Sequence, residues 1–144
     1  MKKKRHKEIL SIVKEKDITD QKTLIDELGK RGYSVTQATV SRDITLLGLG
    51  KAASDDGVNR YVLPERLKDK KLQSQFATVN SITQAMNTVV IKTETSWAQP
   101  VCNALDLKDI PLIVGTIAGD DTIFAVTRSV EDAKLLADKL RKLI

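Results

Sequence analysis

The sequence predicts an α+β chain of two domains. The first is an N-terminal winged helix-turn-helix. The second is a C-terminal α/β sandwich, in the order strand, strand, helix, strand, strand, helix (ββαββα), that oligomerises. Three observations lead there. Charge divides the chain: residues 1–71 hold 17 Lys/Arg against 11 Asp/Glu, whereas residues 72–144 hold 7 against 8. Helical apolar periodicity dominates the first half and ends in a single hairpin signal. Short β-branched runs alternate with helical patterns in the second half. We therefore expect a DNA-facing domain over residues 1–66, a linker over 67–74 that overlaps a charged stretch (65–71) suited to a linker or a frayed helix, and an oligomerisation domain over 75–144. With 41% hydrophobic but only 3% aromatic residues, the cores are expected to be aliphatic.

The stretch that organises the first half runs from Thr36 to Leu47. On a helix, Val40, Ile44 and Leu47 share one narrow apolar face. Ala38, Arg42 and Thr45 lie opposite, flanked by Thr39 and Ser41, with Thr36 placed to cap the start. Small hydroxyl residues, an alanine and one arginine let a backbone approach another surface closely, as in a DNA major groove. Taken alone, the stretch equally suits an ordinary exposed helix, and the context decides. Upstream, Ile9, Leu10, Ile12 and Val13 mark a first helix from about Lys4 to Lys16. Asp20 or Thr19 caps a second helix carrying Leu24, Ile25 and Leu28, and Lys30-Arg31-Gly32 closes it with cations and a glycine. Two short helices joined by a tight turn make a helix-turn-helix pattern. Gly48 and Gly50 end the third helix. Leu49–Ala53, the turn at Asp56-Gly57 and the run Arg60-Tyr61-Val62-Leu63 then form a hairpin, the wing. Lys51 and Arg60 on it are candidates for phosphate contact while the helix reads bases.

In the second half, Phe76–Ile82 and Thr88–Thr93 read as strands, Ala98–Leu107 as a helix, and Leu112–Ile117 as a buried-type strand. Thr122–Thr127 is a further strand, and a final helix is capped by Ser129 with Asp132 at its third position. Both helices are expected on one face of an antiparallel or mixed sheet, and self-association is the simplest cover for the other face. The unusual chemistry is Asp120-Asp121 between two apolar strands. Adjacent carboxylates suit a planar guanidinium, but on residue type alone a simple Gly-Asp turn is the favoured reading.

Other classes are poorly supported. The single histidine, His6, sits in the basic first helix, so no catalytic or metal constellation forms around it, and no glycine-rich phosphate loop is present. Cys102, the only cysteine, permits no intrachain disulfide and fits a reducing compartment. Glu8 and Lys14 break up any signal peptide behind the basic start, and no apolar stretch is long enough to span a bilayer. The expectation is a cytoplasmic protein with no membrane partner and no catalytic role.

Thr36-Gln37-Ala38-Thr39-Val40-Ser41-Arg42-Asp43, together with Gly115-Thr116-Ile117-Ala118-Gly119-Asp120-Asp121-Thr122-Ile123, resembles the bacterial arginine repressor family over essentially the whole chain. The resemblance implies a winged-helix DNA-binding domain and a C-terminal domain that forms trimers, two of which stack into a hexamer. It further implies L-arginine as co-effector between the trimers, in place of any cofactor. Palindromic AT-rich operators, repression of arginine biosynthesis genes and, in some members, activation of arginine catabolism follow from the same likeness. Carried over by motif, Thr36, Gln37, Thr39, Ser41 and Arg42 would contact DNA. Gln99, Asp106, Ala118, Asp120 and Asp121 would form the arginine site. The resemblance thus turns the reading of the aspartate pair from a turn to a ligand site. One departure is Ser96-Trp97, where the family usually has a small Pro-Gly or Gly-Asn turn. The alternative is accordingly a homologue with little or no arginine binding that acts as a co-regulator or oligomeric DNA-binding partner, with a paralogous regulator among its partners.

Overall fold

A computed structural model describes residues 1–144. The chain divides into two compact units, Met1–Leu67 and Lys68–Ile144. In the first, α1 (Lys2–Glu15), α2 (Gln21–Lys30) and α3 (Gln37–Leu46) are followed by β1 (Gly50–Ala53) and β2 (Asn59–Val62). The two strands pair antiparallel with Lys51 opposite Tyr61. Helix-turn-helix and wing are both present, as the sequence predicts.

Local chemistry explains the boundaries. Asp20 caps α2 by accepting from the Thr23 amide at 2.7 Å, and Thr36 caps α3 by accepting from the Thr39 amide at 3.3 Å. Gly48, at φ +66°, ends α3 with its amide bonded to the Thr45 carbonyl, a conformation a side chain would resist. The core is aliphatic: Ile9, Ile12, Leu24, Leu28 and Val40 are fully buried. Ion pairs lash α1 to α2. Arg31 reaches Glu8 at 2.9 Å and Glu15 at 2.8 Å, and the mostly buried Glu27 takes Lys16 and, at 2.7 Å, Lys30.

Residues 67–74, expected as a linker in a stretch also suited to a frayed helix, are helical. They lie inside α4 (Pro64–Phe76), with Pro64 in its first turn, where a missing N–H costs nothing. Leu72 and Phe76, spaced i and i+4, are buried in the core of the second unit. Phe76, expected at the start of a strand, therefore ends a helix, and the strand begins three residues later.

The second unit continues with β3 (Val79–Ala85), β4 (Thr88–Thr93), α5 (Ala98–Lys108), β5 (Gly115–Ala118), β6 (Thr122–Val126) and α6 (Val130–Arg141). This is the expected ββαββα order. The sheet order is β3-β4-β6-β5 and every pairing is antiparallel. Val89, Ile91, Ile123 and Ala125 point inward to one core shared with α5 and α6. Ser129 caps α6 through the Asp132 amide at 3.0 Å.

The expected buried strand over 112–117 is corrected. Leu112 and Ile113 pack against the core from a turn, and β5 starts only at Gly115. As an edge strand bonded on one side alone, β5 leaves Ile117 68% exposed, opposite Phe124 of β6 at 49%. Apolar character in this segment is therefore divided, Leu112 and Ile113 serving the core and Ile117 the outer face of the sheet.

Candidate functional site

Two sites emerge, one in each unit. In the first, α2 and α3 form the helix-turn-helix. Thr36, Gln37, Ser41 and Arg42 are exposed and Thr39 is half-buried, its hydroxyl accepting from Thr36 Oγ1 at 3.1 Å. Arg42 forms no ion pair within the chain, so its guanidinium is free for an external acceptor. Ala38 and Thr45 complete a small-residue surface, to which the 63% exposed Leu46 adds an apolar end.

The opposite side of α3 holds a feature the sequence reading missed. Asp43 lies beside Val40 and Ile44 and is only 2% exposed. Arg5 of α1 donates to it from Nε at 2.5 Å and from Nη2 at 3.1 Å, and His6 donates from Nε2 at 2.8 Å. Burial pushes the Asp43 carboxyl up, but the bonds from Arg5 and His6 outweigh it and hold it below the ordinary aspartate value. The available signal was a carboxylate on the apolar stripe of a helix, with a basic helix upstream to pair it.

The wing residues differ from one another. Lys51 is exposed, with Nζ 5.2 Å from the centre of the Tyr61 ring. Arg60 is engaged: its two terminal nitrogens donate to Asp56 at 2.9 and 2.7 Å, and Nε lies 3.5 Å from Asp17. Asp56 also accepts from the Val58 amide at 3.0 Å, and the Arg60 fork holds its carboxyl far below the usual range. Arg60 thus braces the wing from within.

In the second unit, the Asp120-Asp121 turn joins β5 to β6. Its backbone is fixed from two sides: the Asp120 carbonyl accepts from the Ala98 amide at 3.2 Å, and the Asp121 carbonyl from the Thr93 amide at 2.8 Å. This brings the aspartate pair to the first turn of α5, where Gln99 is exposed. The only side-chain bonds to these carboxylates come from hydroxyls, Ser96 to Asp120 at 3.3 Å and Thr122 to Asp121 at 2.8 Å. Ser96 adopts φ +69°, the left-handed conformation for which a glycine or asparagine turn is better suited. Trp97 follows at the N-cap of α5, 40% exposed and without a capping side chain.

Gln99, Asn103 and Asp106 follow at i, i+4 and i+7 along one face of α5, with Gln99 Nε2 3.5 Å from Asn103 Oδ1. Asp106 accepts from Thr116 Oγ1 at 2.7 Å, and Thr116 in turn accepts from the buried Cys102 thiol at 3.2 Å. Thr116 ties Asp106 to β5 two residues before the half-buried Ala118. The sequence-predicted set therefore splits into Gln99, Asp120 and Asp121 at the start of α5, and Asp106 and Ala118 along α5 and β5. Asn103 and Thr116 link the set and were not foreseen; the helical spacing of Asn103 was the available signal. None of the three carboxylates, Asp120 and Asp121 in one place and Asp106 in the other, is paired to a Lys or Arg. Lys92 donates instead to the Thr122 hydroxyl at 2.8 Å. Nowhere do three His, Cys, Asp or Glu side chains form a group that could hold a metal ion. No helix is long and apolar enough to cross a membrane.

Comparison with known proteins bears on both units. Residues 1–69 match the family model described as arginine repressor, DNA binding domain, and residues 77–142 match that of arginine repressor, C-terminal domain. A protein named arginine repressor from Lachnospira eligens is 43% identical over 150 residues, covering all of this chain and 98% of the relative. Like-named relatives from Clostridium botulinum, at 44%, and Caldicellulosiruptor saccharolyticus, at 38%, also cover all of this chain and 99% and 97% of themselves. These are names of regulators and not of enzymes. With each half matched to its own family model and full-length relatives aligned end to end, the chain belongs to the arginine repressor family.

Proposed function

We propose that the protein is a cytoplasmic transcriptional regulator of arginine metabolism that uses L-arginine as its co-effector. In this reading it binds palindromic AT-rich operators as a hexamer built from two trimers. It represses arginine biosynthesis genes and activates arginine catabolism. Thr36, Gln37, Thr39, Ser41 and Arg42 enter the groove, Lys51 meets a phosphate, and Arg60 supports the wing that carries Lys51. Gln99, Asp106, Ala118, Asp120 and Asp121 form the arginine site.

The observation that carries the effector assignment is the adjacent Asp120-Asp121 pair beside Gln99, bonded only by hydroxyls and without one internal cation, with Asp106 further along α5 on Thr116. Like charges close together are unfavourable unless cations or donors offset them, and a ligand with a guanidinium and an ammonium supplies both. Arg42, exposed and unpaired on a short polar helix, supports the DNA assignment in the same way. Isothermal titration with L-arginine tests the sensing half. Heat on mixing, with heavier assemblies in sedimentation, is the expected result; no heat alongside intact operator binding would remove arginine from the account.

Trp97 favours a second reading, in which the C-terminal half mainly oligomerises and arginine binds weakly. Its indole is exposed two residues before Gln99. A Trp97→Gly variant that gains arginine affinity would support that reading.

A further inference from the structure

The wing is a weak phosphate clamp. Between Gly50 and Val62 it carries Lys51 and Arg60 against Asp55 and Asp56, and Asp56 and Asp17 occupy the Arg60 guanidinium. Its tip, Ser54-Asp55-Asp56-Gly57, presents the exposed Asp55 carboxylate, and no free cation, to any approaching polyanion. The strong positive charge of this unit lies elsewhere. Residues 1–7 hold Lys2, Lys3, Lys4, Arg5 and Lys7 and no acid. The four lysines are exposed and form no ion pair.

That placement opposes the stability of α1. Cations in the first turn face the positive end of the helix dipole, and Lys3–Lys7 and Lys4–Lys7 are like-charge neighbours at helical spacing. α1 has no acid in its first turn and no capping side chain to offset them. The same turns are fixed against α3, because Arg5 and His6 are the residues that hold Asp43. Free lysines therefore sit within one helical turn of the contacts that anchor the groove-entering helix.

We propose that the first two turns of α1 form a second contact surface for double-stranded DNA. Lys2, Lys3, Lys4 and Lys7 grip the phosphate backbone beside the groove that α3 enters, so the charge-driven part of binding rests on α1 and not on the wing tip. The proposal builds on the DNA-binding reading above.

The test uses the full chain with Lys2→Gln, Lys3→Gln, Lys4→Gln and Lys7→Gln combined, and a matching set changed to Arg. Affinity is measured over a salt series on a palindromic AT-rich duplex and on a random duplex of equal length. Each lost phosphate contact lowers the slope of log affinity against log salt by about 0.9. The Gln set is expected to flatten the slope by roughly 2–4 on both duplexes, the Arg set to retain it, and the melting temperature of the Gln set to stay level or rise. A slope unchanged in the Gln set, with wild-type binding intact, overturns the α1 surface alone. A flattened slope that the Arg set shares, or that comes with a lower melting temperature, overturns it as well. Failure of the wild-type chain to bind either duplex sinks the DNA-binding reading and this inference together.

Discussion

Asp43 and Arg5 join the middle of α3 to the second turn of α1 through two hydrogen bonds, at 2.5 and 3.1 Å, onto a carboxylate that is almost wholly buried. The pair makes the exposed face of α3 a property of two helices. Where Asp43 is held, Arg42 and Ser41, one and two residues earlier, are aimed outward.

Replacing Asp43 by Ala leaves the Arg5 guanidinium and the His6 ring without their acceptor. Breaking a buried pair is costly, but Arg5 retains 18% side-chain exposure, so water relieves part of the loss. The expected destabilisation is about 2–3 kcal/mol, read as a shift in denaturant midpoint without a change in slope. A variant as stable as wild type would show that α3 is held by its apolar stripe alone.

Arg42 faces outward with no partner inside the chain. If it donates to a base edge, Arg42→Ala weakens operator binding by about 1–3 kcal/mol, while binding to random sequence falls much less. Competition binding on the two duplexes checks this. An equal loss on both would reassign Arg42 from base reading to phosphate contact.

Glu27 gives the N-terminal unit an acid limit. The hydrogen bond from Lys16, then that from Lys30, draws its carboxyl down from 4.5 to about 2. A carboxyl lowered on folding adds stability that is complete above its unfolded value and is lost as pH falls through the folded one. The contribution should therefore decline as pH drops from about 4.5 towards about 2. Melting followed against pH in Glu27→Gln should show a deficit relative to wild type at neutral pH that closes across this window. A deficit independent of pH would mean that Glu27 acts by packing.

Much of this was legible in the sequence, because caps and stripes are local. Thr36, Asp20 and Ser129 all cap the helices that their residue type and position announce. What was not legible depended on partners distant in sequence. Asp43 reads as one more polar residue until Arg5, 38 positions earlier, is brought beside it. Apolar Ile113 and Ile117 look alike in sequence, yet one packs on the core while the other lies outward on an edge strand. Arg60 reads as a free cation until the hairpin closes and brings Asp56 onto it. In α4, the missing breaker between Pro64 and Phe76 was a weaker signal than the charge of the segment. The core contacts of Leu72 and Phe76 decide that it is helical.

The outer face of the sheet sets Ile117 against Phe124, with Val126 alongside, all three exposed. Contiguous apolar surface of this kind favours burial against another copy. Phe124→Ser should leave the fold intact, since the ring makes no part of the core, and shift sedimentation at fixed concentration to smaller species. An unchanged distribution would place the interface on another surface.

Asp121 tests whether assembly is tied to arginine. Its carbonyl is held by the Thr93 amide, so Asp121→Asn preserves the turn while removing one negative charge. A carboxylate that pairs with guanidinium contributes about 1.5–3 kcal/mol through a charge-assisted bond, so arginine affinity should fall by roughly one to two powers of ten. The arginine concentration that drives assembly should rise by the same factor, with the mass distribution in the absence of arginine unaltered. Sedimentation across an arginine series separates these effects. If Asp121→Asn assembles at the wild-type arginine concentration, the guanidinium lies against Asp120 or Asp106. If it fails to assemble at any concentration while remaining folded, Asp121 belongs to the protein–protein contact itself.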